Sequence, residues 1–174
     1  MMISLKKISL MGIFIALGVS LGFALITVPN VEFITATVFI SGYLMGIKEG
    51  AVVGCLTEAL YSLLNPLGMA APPLLIAQVL SMGIAGSVGG VLRMHRTQPQ
   101  WMHHLQLGLA GFALTAMFAV LTTLSFIFFI EFSQRTLIGS FVYGFGFYAV
   151  HILSNTLIFL SIVPTIIRVS EKAR

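Results

Sequence analysis

The chain has 174 residues, 58% of them hydrophobic and 8% charged, with a mean hydropathy of +1.06. A water-soluble domain carries roughly a quarter charged residues because its surface must face water, so five acids and nine bases exclude the soluble classes, most soluble enzymes and nucleic-acid binders among them. What remains is an integral membrane protein, and an all-α one, because the apolar runs are long and continuous where a β-barrel would alternate in strands of about 10 residues.

Charged and turn residues cut the chain into six apolar pieces. At roughly 20 apolar residues per crossing, these fill one six-helix transmembrane domain over residues 1–174, with no soluble domain. The first span is expected at 8–27, after a short basic start at Lys6 and Lys7. It is too long for a signal-peptide core, and no small-x-small site follows it. It ends at Val28-Pro29-Asn30-Val31-Glu32. The second span, 33–47, stops at Lys48-Glu49-Gly50, and the third, 51–64, meets the turn Asn65-Pro66-Leu67-Gly68. Both are short for a crossing. Either tilt, thinning or extension into the loops absorbs the mismatch, or the two form one re-entrant hairpin; Glu32 and Lys48 at opposite ends suit a crossing. The fourth span covers 73–92, with Pro73 suited to a first helical turn. A polar link leads to the fifth at 105–130, and the sixth runs over 137–167.

Cytoplasmic loops are enriched in Lys and Arg. With the N-terminus inside, the inner side holds Lys6, Lys7, Lys48, Arg93, Arg96, Arg168, Lys172 and Arg174, and the outer side only Arg135. This asymmetry places both termini in the cytoplasm and supports an even number of spans. Trp101, near Arg93 and Arg96, fits an interfacial anchor on the inner face. The net charge of +4 is therefore a signal of topology and not of nucleic-acid binding.

Small residues recur at four-residue spacing, which lets apolar helices approach closely in a bilayer. Gly12, Ala16 and Ser20 form one ridge of the first span, and Gly18 and Gly22 another. Gly42, Gly46, Gly50 and Gly54 continue the pattern through the second and third spans, and Gly86 and Gly90 repeat it in the fourth. Two small faces on one helix exceed what internal packing needs, so the first span is expected to dock a partner protein.

Polar residues within spans are costly and usually functional. Glu58 is the one charge well inside a span, and Glu58, Tyr61 and Asn65 at i, i+3 and i+7 are expected on one helix face. The sixth span carries a stripe of Phe141, Tyr148, His151 and Asn155. Gln78 and Ser81, with Thr122, Thr123 and Ser125, lie at similar depth. Together these suggest an outward-facing pocket for a small polar or aromatic solute, with Glu58, Gln78, His151 and Asn155 orienting it and aromatics stacking on it. The serines and threonines are read as interhelical hydrogen bonds. His95, His103 and His104 lie in the inner link without acidic or cysteine partners, so no metal is assigned. Cys55 falls in an apolar run and is read as inert packing. No protease, esterase or nucleotide-binding motif occurs, and no catalytic residue or cofactor is assigned.

Pro29-Asn30-Val31-Glu32-Phe33 leading into Phe39-Ile40-Ser41-Gly42-Tyr43-Leu44-Met45-Gly46, then Lys48-Glu49-Gly50-Ala51-Val52-Val53-Gly54 and Tyr61-Ser62-Leu63-Leu64-Asn65-Pro66-Leu67-Gly68, resemble the first loop and second and third helices of the S component, the substrate-binding membrane subunit of energy-coupling factor (ECF) transporters. Size, span number, inside termini and the small-residue first helix match over nearly the whole chain. The resemblance implies a non-enzymatic uptake subunit of a bacterial or archaeal cytoplasmic membrane that binds a vitamin or related micronutrient at its outer side. It implies loops closing over the substrate, here Pro29, Asn30 and Glu32 in the first and Asn65 and Pro66 in the second. It also implies a transmembrane coupling subunit and two ATPase subunits as partners. Where the family's first helix carries Ala-x-x-x-Ala for the coupling subunit, this chain has Gly12, Ala16 and Ser20. A buried carboxylate with Tyr and His suits a cationic or amine-bearing heteroaromatic such as thiamine or its pyrimidine precursor, although the first loop lacks the tryptophan that would favour thiamine; pyridoxine, queuosine-type bases, flavin and cobalamin stay open. The competing classes are a non-catalytic membrane scaffold or assembly protein and an enzyme acting on lipid.

Overall fold

The computed structural model describes residues 4–94, 99–126 and 133–172. Among them the chain is all helix: α1 (Leu5–Ala24), α2 (Ile34–Met45), α3 (Ile47–Leu63), α4 (Pro72–Met94), α5 (Gln100–Ser125) and α6 (Gln134–Lys172). Four of these, α1, α4, α5 and α6, are long and apolar enough to cross a membrane, and α2 is a shorter apolar helix.

The helices depart from the expected spans at their ends. The expected link Lys48-Glu49-Gly50 is instead the first turn of α3. Gly46 alone joins α2 to α3, with φ +120°, a left-handed backbone that costs glycine little. Glu49 in that turn faces the positive end of the helix dipole. α5 begins before Leu105, and α6 outruns its apolar stretch at both ends, because polar residues continue a helix wherever its backbone bonds are met internally. At 39 residues and about 1.5 Å of rise each, α6 is about 58 Å long. The expected end of the fifth span at Ile130 lies outside the described residues, as do His95, Arg96 and Arg174.

α2 is the hub of the molecule. Every residue in it but Leu44 is buried, and α1, α3, α4, α5 and α6 all pack around it. The closest helix approaches, among α2, α3 and α4, are made by glycine. A methyl on Gly42 or on Gly50 would overlap the carbonyl of Gly86, one on Gly54 that of Met82, and one on Gly89 that of Phe39. On the other side Gly111 of α5 seats Phe159, whose ring meets Phe39 edge-on with centroids 4.9 Å apart. The two small faces of α1 part company. Gly18 and Gly22 press on Thr57, Ile34 and Tyr61, whereas Gly12, Ala16 and Ser20 are exposed, with open space beside Gly12.

One end of the molecule gathers basic groups. Lys7 pairs with Glu49, and the Arg93 guanidinium donates to the Leu44 carbonyl at 2.8 Å. The Tyr43 hydroxyl lies 3.5 Å from His103 Nε2. Arg168, His103 and His104 line an open cleft of about 330 Å³ at that same end. Arg135, in the first turn of α6, belongs to the opposite end.

Candidate ligand cavity

At the end away from the basic groups lies a cavity of about 200 Å³ to which all six helices contribute. Gly22 comes from α1, Ile34 from α2, Glu58 and Tyr61 from α3, Gln78 and Met82 from α4, Phe118 from α5 and His151 from α6. Residues 28–32 of the α1–α2 loop complete the wall.

Glu32 anchors this loop. Its Oε2 accepts the Thr35 N–H at 2.9 Å, and its Oε1 the Thr35 hydroxyl at 2.6 Å. The side chain thus caps the first turn of α2, where unpaired N–H groups and the helix dipole favour a carboxylate. α6 then reaches the same oxygen. Asn155 Nδ2 donates to Oε1 at 2.7 Å, and His151 Nε2 stands 3.5 Å from it. One residue before Asn155, the Ser154 hydroxyl donates to the Asn30 carbonyl at 3.0 Å, at a residue whose φ of 58° is one that Asn tolerates better than most. Burial by itself would push the Glu32 carboxyl up. The neighbouring His151 ring, with the Thr35 and Asn155 bonds, outweighs it and holds the group below its ordinary value of 4.5.

Glu58 is the second carboxylate at the cavity, buried at 3% exposure where Glu32 is half-buried. It forms no hydrogen bond or ion pair among the described residues. Tyr61, one turn on, packs its ring against Phe23 with centroids 5.1 Å apart. Phe118 stands edge-on to His151 at 5.6 Å. Around the cavity and its Glu32 wall, Gln78 Oε1 and Asn155 Oδ1 are buried without a hydrogen-bond partner, and buried His151 Nε2 has only the Glu32 carboxylate beside it, 3.5 Å away. Buried polar atoms are nearly always paired in folded proteins, so this concentration sets the cavity apart from the rest of the described interior.

Of the residues expected at the site, Glu58, Tyr61, Gln78 and His151 line the cavity, and Asn155 supports it through Glu32. In the first loop Pro29, Asn30 and Glu32 line it too. Asn65 is elsewhere. α3 ends at Leu63, so the helical spacing from Glu58 does not extend to residue 65, and the Asn65 carboxamide instead accepts the Leu67 N–H at 2.9 Å in a tight turn. Neither it nor Pro66 lines the cavity. Tyr148 is also turned away. Its hydroxyl meets Thr123 Oγ1 at 2.6 Å and its ring meets Phe141, so the stripe on α6 divides between α5 and the cavity. Ser81, Thr122, Thr123 and Ser125 bond carbonyls of their own helices.

Sequence reasoning missed the walls formed by Met82, Phe118 and Gly22, which carry no polar signal. It also placed Glu32 only in a loop. Its place just ahead of the apolar run of α2 was the available clue, since a carboxylate is favoured at a helix N-terminus. A family model for the ECF transporter substrate-specific component matches residues 6–168. No curated protein and no solved structure is matched by the chain.

Proposed function

This chain belongs to the substrate-specific components of ECF transporters, and on that premise we propose that it captures a vitamin or related micronutrient in the cavity beneath residues 28–32. The observation that carries the reading is the convergence of all six helices on one cavity holding polar atoms without partners. A purely structural polar cluster would satisfy its own members. Glu58, Tyr61, Gln78 and His151 contact the solute, while Asn155 fixes Glu32 and Ser154 fixes Asn30 in the covering loop. The exposed ridge of Gly12, Ala16 and Ser20 receives the transmembrane coupling subunit, because small side chains let a partner helix approach to backbone distance. Two ATPase subunits supply the energy.

The excess of Lys and Arg at the end away from the cavity supports a cytoplasmic position for that end. The cavity then opens outward from the cytoplasmic membrane of a bacterium or archaeon. α2 and α3 complete the six crossings; α2, about 18 Å long at 1.5 Å per residue, is short enough to leave the cavity space above it. The test is mass spectrometry of small molecules released from the full chain purified from cells grown in rich medium. A bound vitamin-sized compound is expected. Release of no small molecule would remove the capture reading and favour a scaffold.

A further inference from the structure

The cavity's polar atoms differ in how far they are already used. Glu32 is engaged with Thr35 and Asn155 and has His151 beside it. Glu58, more deeply enclosed than Glu32, has no such engagement among the described residues. The lining contains two carboxyl groups and the buried, unpartnered Gln78 carbonyl oxygen, beside the Tyr61 hydroxyl and the His151 ring, which can donate or accept, and no Lys or Arg. Carboxyl and carboxamide oxygens accept hydrogen bonds, so at the Glu58 and Gln78 side of the cavity the free capacity calls for donors. A cation entering beside Glu58 would bring the counter-charge that the described lining lacks, where an anion would meet two carboxyl groups and no Lys or Arg. The side walls, Tyr61, Phe118, Ile34 and Met82, are apolar faces suited to a flat ring.

We propose that the solute is a positively charged or protonatable heteroaromatic ring bearing an exocyclic amine or amidine, its N–H groups shared between Glu58 and Gln78. The proposal rests on the capture reading above and narrows it to one chemical class. Glu58 is the charge partner, Gln78 the second acceptor, and Glu32 the carboxylate that holds the loop.

Two measurements on the full chain in detergent test it. The first is the charge of whatever compound the wild-type protein releases, read by mass spectrometry, with the occupancy of Glu58→Gln measured beside it. A basic, N–H-bearing ring is expected, with occupancy falling about tenfold or more in Glu58→Gln, the scale for losing a charge-assisted bond. The second compares benzamidine with benzoate, rings of matched shape and opposite charge, as thermal stabilisers. Benzamidine is expected to raise the melting temperature of the wild type and not of Glu58→Gln, and benzoate to raise neither. An acidic or N–H-free released compound, undiminished occupancy in Glu58→Gln, or equal responses to the two probes overturns the assignment while leaving capture intact. Release of nothing by the wild type removes capture itself, and this assignment with it.

Discussion

Asn155 shows how much one buried side chain can decide. It is fully enclosed and spends its amide N–H₂ on Glu32, which in turn caps α2 and closes the loop over the cavity. Truncating it in Asn155→Ala leaves a buried carboxylate short of a donor, at a cost of about 1–3 kcal/mol, measurable as a lower melting temperature in detergent. The pH dependence follows from the direction of the shift. Because the native Glu32 carboxyl lies below its ordinary 4.5, its contribution to stability is present above that value and lost as the pH falls through the lowered native one. In Asn155→Ala the carboxyl moves back toward its ordinary value, so acid destabilisation should set in at higher pH than in the wild type. An unchanged acid profile would show that Thr35 and His151 suffice. Glu58, His151 and Tyr61 face the same cavity, so the comparison belongs in the ligand-free protein.

Among the elements, α1 and α4 use small residues for opposite ends. On α4 the glycines are internal. A methyl at Gly86 would strike the backbone of Gly50, and backbone cannot step aside as a side chain can. Gly86→Ala should therefore lose about 1–3 kcal/mol or more, seen as poor recovery of folded protein by size exclusion. On α1 the ridge of Gly12, Ala16 and Ser20 points away from the molecule. Ala16→Trp should leave folding and ligand retention untouched and abolish uptake in cells carrying the coupling and ATPase subunits. Normal uptake by this variant would place the partner on another face. Four-residue spacing alone made both ridges legible but could not tell inner from outer, since a helix repeats its faces whatever packs on them. The α3 boundary was misplaced for a related reason. Lys48 and Glu49 look like a loop by charge, yet they fit the first turn of a helix once Gly46 has turned the chain.

For the molecule as a whole, the separation of charge from cavity makes a topological prediction. The basic groups and the cleft lined by His103 and Arg168 lie at one end, the Glu32–Glu58 cavity toward the other. In a Cys55→Ala background, a membrane-impermeant maleimide should label Arg135→Cys in intact cells, and Lys172→Cys only after the cells are opened. The reverse pattern would turn the cavity toward the cytoplasm and exclude capture from outside.

Composition and hydropathy determined the solvent, and hence the class: with 8% charged residues no other environment pays for so much apolar surface. Helix number was equally legible, and Glu58, Gln78 and His151, singled out because ionisable and amide groups are rare where water is scarce, do line the cavity. Tertiary structure alone decided which of them meet. Asn65 and Tyr148 carry the right chemistry on the right segments but face a turn and a neighbouring threonine, while Glu32, outside every apolar run, becomes the point where α2 and α6 join. Sequence spacing fixes a residue's angle about its own helix. It does not fix where a helix stops or which face its neighbours cover, and those two facts made the cavity.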